Sequence, residues 1–223
     1  MKLTTNISSL MRRLGLMAIA AAAATGVFSS CDSVIYDDEG DCDPHYKVRF
    51  RYDYHLKKGD AFPYEVNAVT LYVVDPATGN IVWRKTAAGD SVCTEGFTMD
   101  IDGIAPGNYK LMAWAGDGHL DSPSFTMGEG EHHTDLTARI NRNAGNEVTG
   151  RIDRLYKDLD FEFTEREFTD EQGTHLHTVR LMKNPNDITV VLQHLSGEPV
   201  DASRFEYQIV EMNGSMDFDN SIM

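Results

Sequence analysis

The chain has 223 residues, with 20 Lys and Arg against 35 Asp and Glu, for a formal charge of −15. The first thirty residues hold three of the basic side chains and no acidic one, so the remainder bears about −18. Such a surface is repelled by nucleic acid and by anionic lipid heads, which excludes nucleic-acid binding as its main business. The length beyond the first thirty residues accommodates one large domain or two small ones.

Lys2, Arg12 and Arg13 precede an apolar run from Leu14 to Val27, and Ser29 and Ser30 follow it. A cationic start, a short apolar core and small residues make a secretory signal peptide over 1–30. The run is too short for a stable span, which needs about 20 apolar residues. Phe28-Ser29-Ser30-Cys31 resembles a bacterial lipobox, with Phe28 where Leu is usual. The resemblance implies that Cys31 carries lipid after the leader is removed. Ordinary cleavage near Ala24, giving a secreted soluble protein, is the alternative. Two or three acyl chains hold a protein firmly at a membrane, whereas one holds it weakly.

Residues 31–44 are acidic and poorly patterned, which reads as a tether. With Cys31 assigned to lipid, Cys42 and Cys93 remain. An even number in an oxidising compartment permits one disulfide, but spacing does not show that the two Cα atoms approach closely enough.

From Tyr46 the chain alternates. Tyr46, Val48, Phe50 and Tyr52 share one face, and Lys47, Arg49 and Arg51 the other. Period two with aromatic and β-branched residues predicts a half-buried strand. Val66–Val74 predicts the next, with Val69, Leu71 and Val73 on its core face. Pro76-Ala77-Thr78-Gly79-Asn80 turns the chain into Ile81-Val82-Trp83, a hairpin. Phe97, Met99 and Ile101 alternate with polar residues, Ala105-Pro106-Gly107-Asn108 turns, and Tyr109–Trp114 leaves as a strand. Ser124–Met127 and Asp135–Ile140 are shorter candidates. Short strands with turns between them over 45–140 predict an all-β first domain, a β-sandwich.

Residues 141–157 predict a linker with a short helix over Arg151–Lys157. Strands are then expected at Leu159–Phe163, His175–Met182, Ile188–Leu192 and Phe205–Met212. These form a second β-domain over 158–223. Four strands are few for a closed sandwich, so that domain is expected to be incomplete and the sequence truncated.

Motifs that carry chemistry are sparse. His175 and His177 share a strand face and His132 adjoins His133, but a zinc site needs a third ligand that spacing does not supply. Asp100-Ile101-Asp102-Gly103 imitates the start of a calcium loop without its closing Glu. There is no G-x-S-x-G, P-loop, C-x-x-C or H-E-x-x-H. No enzyme, metal or cofactor is expected. Trp83 and Trp114 are candidates for a sugar platform, although each lies in an alternating strand, where a core role is the simpler reading.

CDSVIYDDEGDC, YKVRFRYDYHLKKGDAFPYEVNAVTLYVVDPATGNIV, APGNYKLMAWAG, LYKDLDFEF and HTVRLMKNPNDITVVLQ occur in this order. Together they resemble the fimbrial anchor-subunit lipoproteins of Bacteroidales (FimB/Mfa type). The resemblance implies two transthyretin-like β-sandwich domains, a lipid anchor at Cys31 in the outer membrane, exposure at the cell surface and pilin subunits as partners. The acidic residues after Cys31 resemble the surface-export signal of such lipoproteins. Many relatives carry a cysteine after the segment matching Trp114-Ala115-Gly116, and this chain does not, so their disulfide pattern is not carried over. The resemblance implies a base subunit that holds a fimbrium by strand addition. A surface lipoprotein that captures glycan for uptake is the alternative, and burial of Trp83 and Trp114 would count against it.

Overall fold

The computed structural model describes residues 43–56, 59–118, 121–161 and 164–223. The expected signal peptide, Cys31, most of the expected tether and Cys42 lie outside the described residues. Asp43–Met223 forms one compact unit.

β1 (Pro44–Arg51) buries Tyr46, Val48 and Phe50 on the face that period two predicts. A helical turn, α1 (Phe62–Glu65), begins with Pro63 near its N-terminus and stacks Phe62 on Phe50 at 5.7 Å between ring centres. β2 (Ala68–Val74) pairs in antiparallel fashion with β3 (Ile81–Ala88). β4 (Thr98–Ile101) and β5 (Gly107–Gly116) follow, then β6 (Phe125–Met127) and β7 (Ala138–Ile140). β8 (Leu155–Asp158), β9 (Glu165–Phe168), β10 (Gly173–Lys183) and β11 (Ser215–Met216) complete the strands.

One eight-stranded sheet runs β3-β2-β5-β8-β10-β1-β4, and β9 pairs with β5 beside that path. Its two edges approach each other: Lys85 Nζ on β3 donates to the Asp100 carbonyl on β4 at 3.2 Å. The sheet thus curls into a near-barrel. The inner face collects Val48, Phe50, Val69, Leu71, Val73, Leu111, Ala113, Val179 and Leu181 into the principal core. β6, β7 and β11 form a smaller, incomplete sheet. A second core of Tyr72, Val74, Met112, Trp114, Phe125, Leu136 and Ala138 joins the outer residues of β2 and β5 to the small sheet. Covering on both faces explains why every residue of β2 is buried, where alternation alone predicts a half-exposed strand.

The expected division into 45–140 and 158–223 does not describe the pairing. β8, β9 and β10 join the first sheet, and β10 lies parallel to β1 from Pro44↔Gly173 to Arg51↔Arg180. The expected helix over Arg151–Lys157 is absent; its last residues open β8. The strand expected from Leu159 does not form at 159–161, because β8 ends at Asp158. Ile188–Leu192 and Phe205–Met212, both expected as strands, belong to no ladder. The described residues are essentially all-β, with one large near-barrel sheet and one small incomplete sheet.

Candidate functional site

Three features stand out: a buried ion pair at a seam in the sheet, an exposed apolar arm, and a crevice beside the β2–β3 turn.

The seam lies on β5. Trp114–Gly116 pair with β8, and Gly107–Lys110 pair with β9. Between them the β8–β9 connection leaves the sheet. Asp158 substitutes for a ladder partner by accepting the Ala113 N–H at 2.7 Å on Oδ1. The same carboxylate pairs with the Lys157 ammonium, and both side chains are 1% exposed. Lys157 Nζ also lies 5.5 Å from the Trp114 ring centre and 5.4 Å from that of Phe161. Two adjacent charged residues in an acidic sequence read as surface, so pattern reasoning missed this pair. A carboxylate that completes a backbone ladder leaves no signal in spacing.

The histidines divide by role. His133 donates from its backbone N–H to the Gly79 carbonyl at 3.0 Å, and its Nδ1 lies 2.8 Å from the same oxygen. His132 Nε2 lies 3.2 Å from the Thr78 carbonyl, and its Nδ1 accepts from the Thr134 N–H to cap a short 3₁₀ turn. The pair thus clamps the β2–β3 turn. Gly79 suits that clamp: its φ is +75°, and a Cβ there would come within 2.3 Å of the His132 ring. His175 Nε2 lies 2.7 Å from the Glu171 carbonyl. His177 stacks on Phe168 at 4.6 Å, and burial lowers its pKa below the ordinary imidazole value. Among the described residues no group of three or more His, Cys, Asp or Glu could hold a metal. Asp100 pairs with Lys47 at 3.0 Å, and Ile101 is in the core, as a strand requires.

Trp114 is fully buried in the second core, and Trp83 is half-buried against the principal one. They belong to different cores and form no common platform. Cys93 is exposed, with Sγ 3.5 Å from the Val66 carbonyl. Its expected partner Cys42 lies outside the described residues.

The arm runs between β10 and β11. Ile188, Val190, Val191, Phe205, Tyr207, Ile209, Val210 and Met212 are each more than half exposed. Scattered exposed apolar residues are ordinary, but so many in two β-patterned runs are not.

The crevice has a volume of about 350 Å³ and is lined by Asp75, Pro76, Lys110, His133, Phe161 and Phe218 among others. Phe218 meets His133 edge to face at 4.7 Å, and His133 lies 5.3 Å from Phe161. Asp75 accepts the Ala77 N–H and the Thr78 hydroxyl, which hold its carboxyl below the usual carboxylate range.

A near-barrel with a second, smaller sheet and an exposed β-patterned arm define the class of all-β surface-type folds among the described residues. The chain belongs to the family of Fimbrillin-A associated anchor proteins Mfa1 and Mfa2, whose family model matches residues 38–223. The family is described as one of anchor proteins. It is 32% identical to an adhesin candidate from Bacteroides thetaiotaomicron, with a TM-score of 0.69 over 83% of this chain and 61% of that one. A polysaccharide-binding candidate from the same organism shares the fold at 24% identity and a TM-score of 0.65, over 81% of this chain and 62% of that one. The fimbrial anchor protein Mfa2 from Porphyromonas gingivalis shares it at 16% identity and a TM-score of 0.57, over 82% and 64%. The chain spans about six-tenths of the length of these solved structures. No curated protein matches it.

Proposed function

We propose that the chain is a lipid-held protein of the outer-membrane surface that serves adhesion, and that the arm is its assembly element. The observation that carries this is the arm itself. Its two apolar runs have strand composition, and among the described residues no backbone–backbone hydrogen bond outside the strands involves 188–192 or 206–212. Unpaired N–H and C=O groups beside exposed apolar side chains are what an added strand satisfies. The occupant is an extended segment of a pilin subunit, in line with the family's anchor description.

This contact is mainly main-chain and apolar, so it should resist salt. A contact driven by the −18 charge would weaken as salt shortens the Debye length to about 10 Å at 0.1 M. We expect Val191→Asp with Ile209→Asp to abolish pilin capture from cell envelopes at low and high salt. Both residues are exposed, so the melting temperature should stay unchanged. Undiminished capture by the double variant would sink the strand-addition reading.

Cys31 is the proposed lipid site. Fatty-acid labelling should disappear in Cys31→Ala while the β-unit folds as before, and a labelled variant would refute the assignment.

A second reading, capture of surface glycan, draws on the solved structure described as a polysaccharide-binding candidate. The placement of Trp83 and Trp114 removes the platform the sequence suggested, so a sugar site must use other residues. The crevice beside the β2–β3 turn is the place for it.

A further inference from the structure

We propose that the crevice beside the β2–β3 turn is a subsite for one hexopyranose residue of a polysaccharide, a proposal that rests on the glycan-capture reading. A pyranose ring presents an apolar C–H face and a girdle of hydroxyls. The crevice presents the complement. Phe218 and His133, both part-exposed, form its aromatic wall, and buried Phe161 backs them from the core. Asp75 and Lys110 line the same crevice, and the Asp75 carboxylate offers an acceptor there. The volume of about 350 Å³ falls at the small end of ligand pockets, which span about 300–1,000 Å³ and combine apolar walls with a few placed polar groups.

The site is also preorganised. The turn that carries Asp75 is fixed from within by its bonds to Ala77 and Thr78, and from outside by His132 and His133 on the Thr78 and Gly79 carbonyls. A turn already held in place has little ordering entropy left to lose on binding. The Asp75 carboxyl is ionised at neutral pH, so it accepts sugar hydroxyls as a charge-assisted partner. An anionic ligand would meet that carboxylate and the negative charge of the whole chain. Neutral hexoses avoid both penalties. A crevice that was only a packing gap between two sheet layers would be lined by apolar atoms, and this one has Asp75 and Lys110 in its lining.

The test uses the purified full-length chain on immobilised mannan, dextran and galactan, with free mannose, glucose and galactose as competitors. Binding to at least one polymer is expected. It should weaken about tenfold or more in Asp75→Asn and in Phe218→Ala, since each removes a charge-assisted bond or an aromatic face. Melting temperatures identify any variant that fails to fold. Independently of the variants, hydrogen exchange on the unaltered chain should slow at the 77–81 and 133 amides when the bound polymer is present. Polymer binding that survives both folded variants, or leaves exchange at the turn unchanged, overturns the subsite while glycan capture stands. Failure of the unaltered chain to bind any of the three polymers overturns the subsite and the glycan reading together.

Discussion

Asp158→Ala should lower folding stability by about 3–5 kcal/mol, the cost typical of breaking a buried ion pair from one side. The carboxylate serves two partners, the Lys157 ammonium and the Ala113 N–H. Alanine leaves a buried amide at the β5 seam without its acceptor and withdraws one counter-charge from a lysine that is 1% exposed. No discount for solvent screening applies at that depth. The second half of the test separates charge from ladder completion. Lys157→Met with Asp158→Asn removes both charges and keeps an oxygen for the Ala113 N–H. Such a neutral pair should recover most of the loss, because replacing a buried ion pair by a well-fitting neutral one is often close to cost-free. Urea unfolding of the three proteins measures this. A loss below about 1 kcal/mol for Asp158→Ala would show that water reaches the pair, in the range of exposed ion pairs.

The strands legible in the sequence are those with period two and a marked turn. Tyr46-Val48-Phe50 on β1, Val69-Leu71-Val73 on β2 and Met99-Ile101 on β4 all face the principal core, as their alternation predicts. β2 returns as a short hairpin into β3, where Pro76 and Gly79 mark the reversal. The parallel β1–β10 pairing was not legible, because its partners stand 129 residues apart, Tyr46 with His175 for instance, and no turn announces such a pair. That pairing is why the second half completes the first sheet. The seam was hidden for a related reason: Lys157 and Asp158 are charged, and charge in an acidic chain reads as surface. The arm shows the opposite case. Ile188–Leu192 and Phe205–Met212 have strand composition, yet periodicity reports what a segment is suited to pair with and not whether the partner is present. The crevice combines residues from the β2–β3 turn, β5, a 3₁₀ turn, the β8–β9 connection and the segment after β11, and no local motif gathers them.

Leu71→Ala should cost about 2–5 kcal/mol, and its neighbours show why the cost belongs there. Leu71 is at the middle of β2, opposite Lys85 on β3 and Ala113 on β5, and is fully buried. Both flanking strands pair with β2 in regular register from Ala68 to Val73, so the backbone cannot close over the gap that truncation leaves. The lost transfer energy and the residual cavity therefore add. Lys47→Ala on the outer face of β1 gives the contrast. Its pair with Asp100 is 38% and 54% exposed, and such pairs contribute no more than about 1 kcal/mol. Chemical denaturation should show the two variants separated by at least the lower bound of the core cost. Comparable losses at Leu71 and Lys47 would mean that β1 and β2 present their other faces to the core, and the register described for the near-barrel would fail with them.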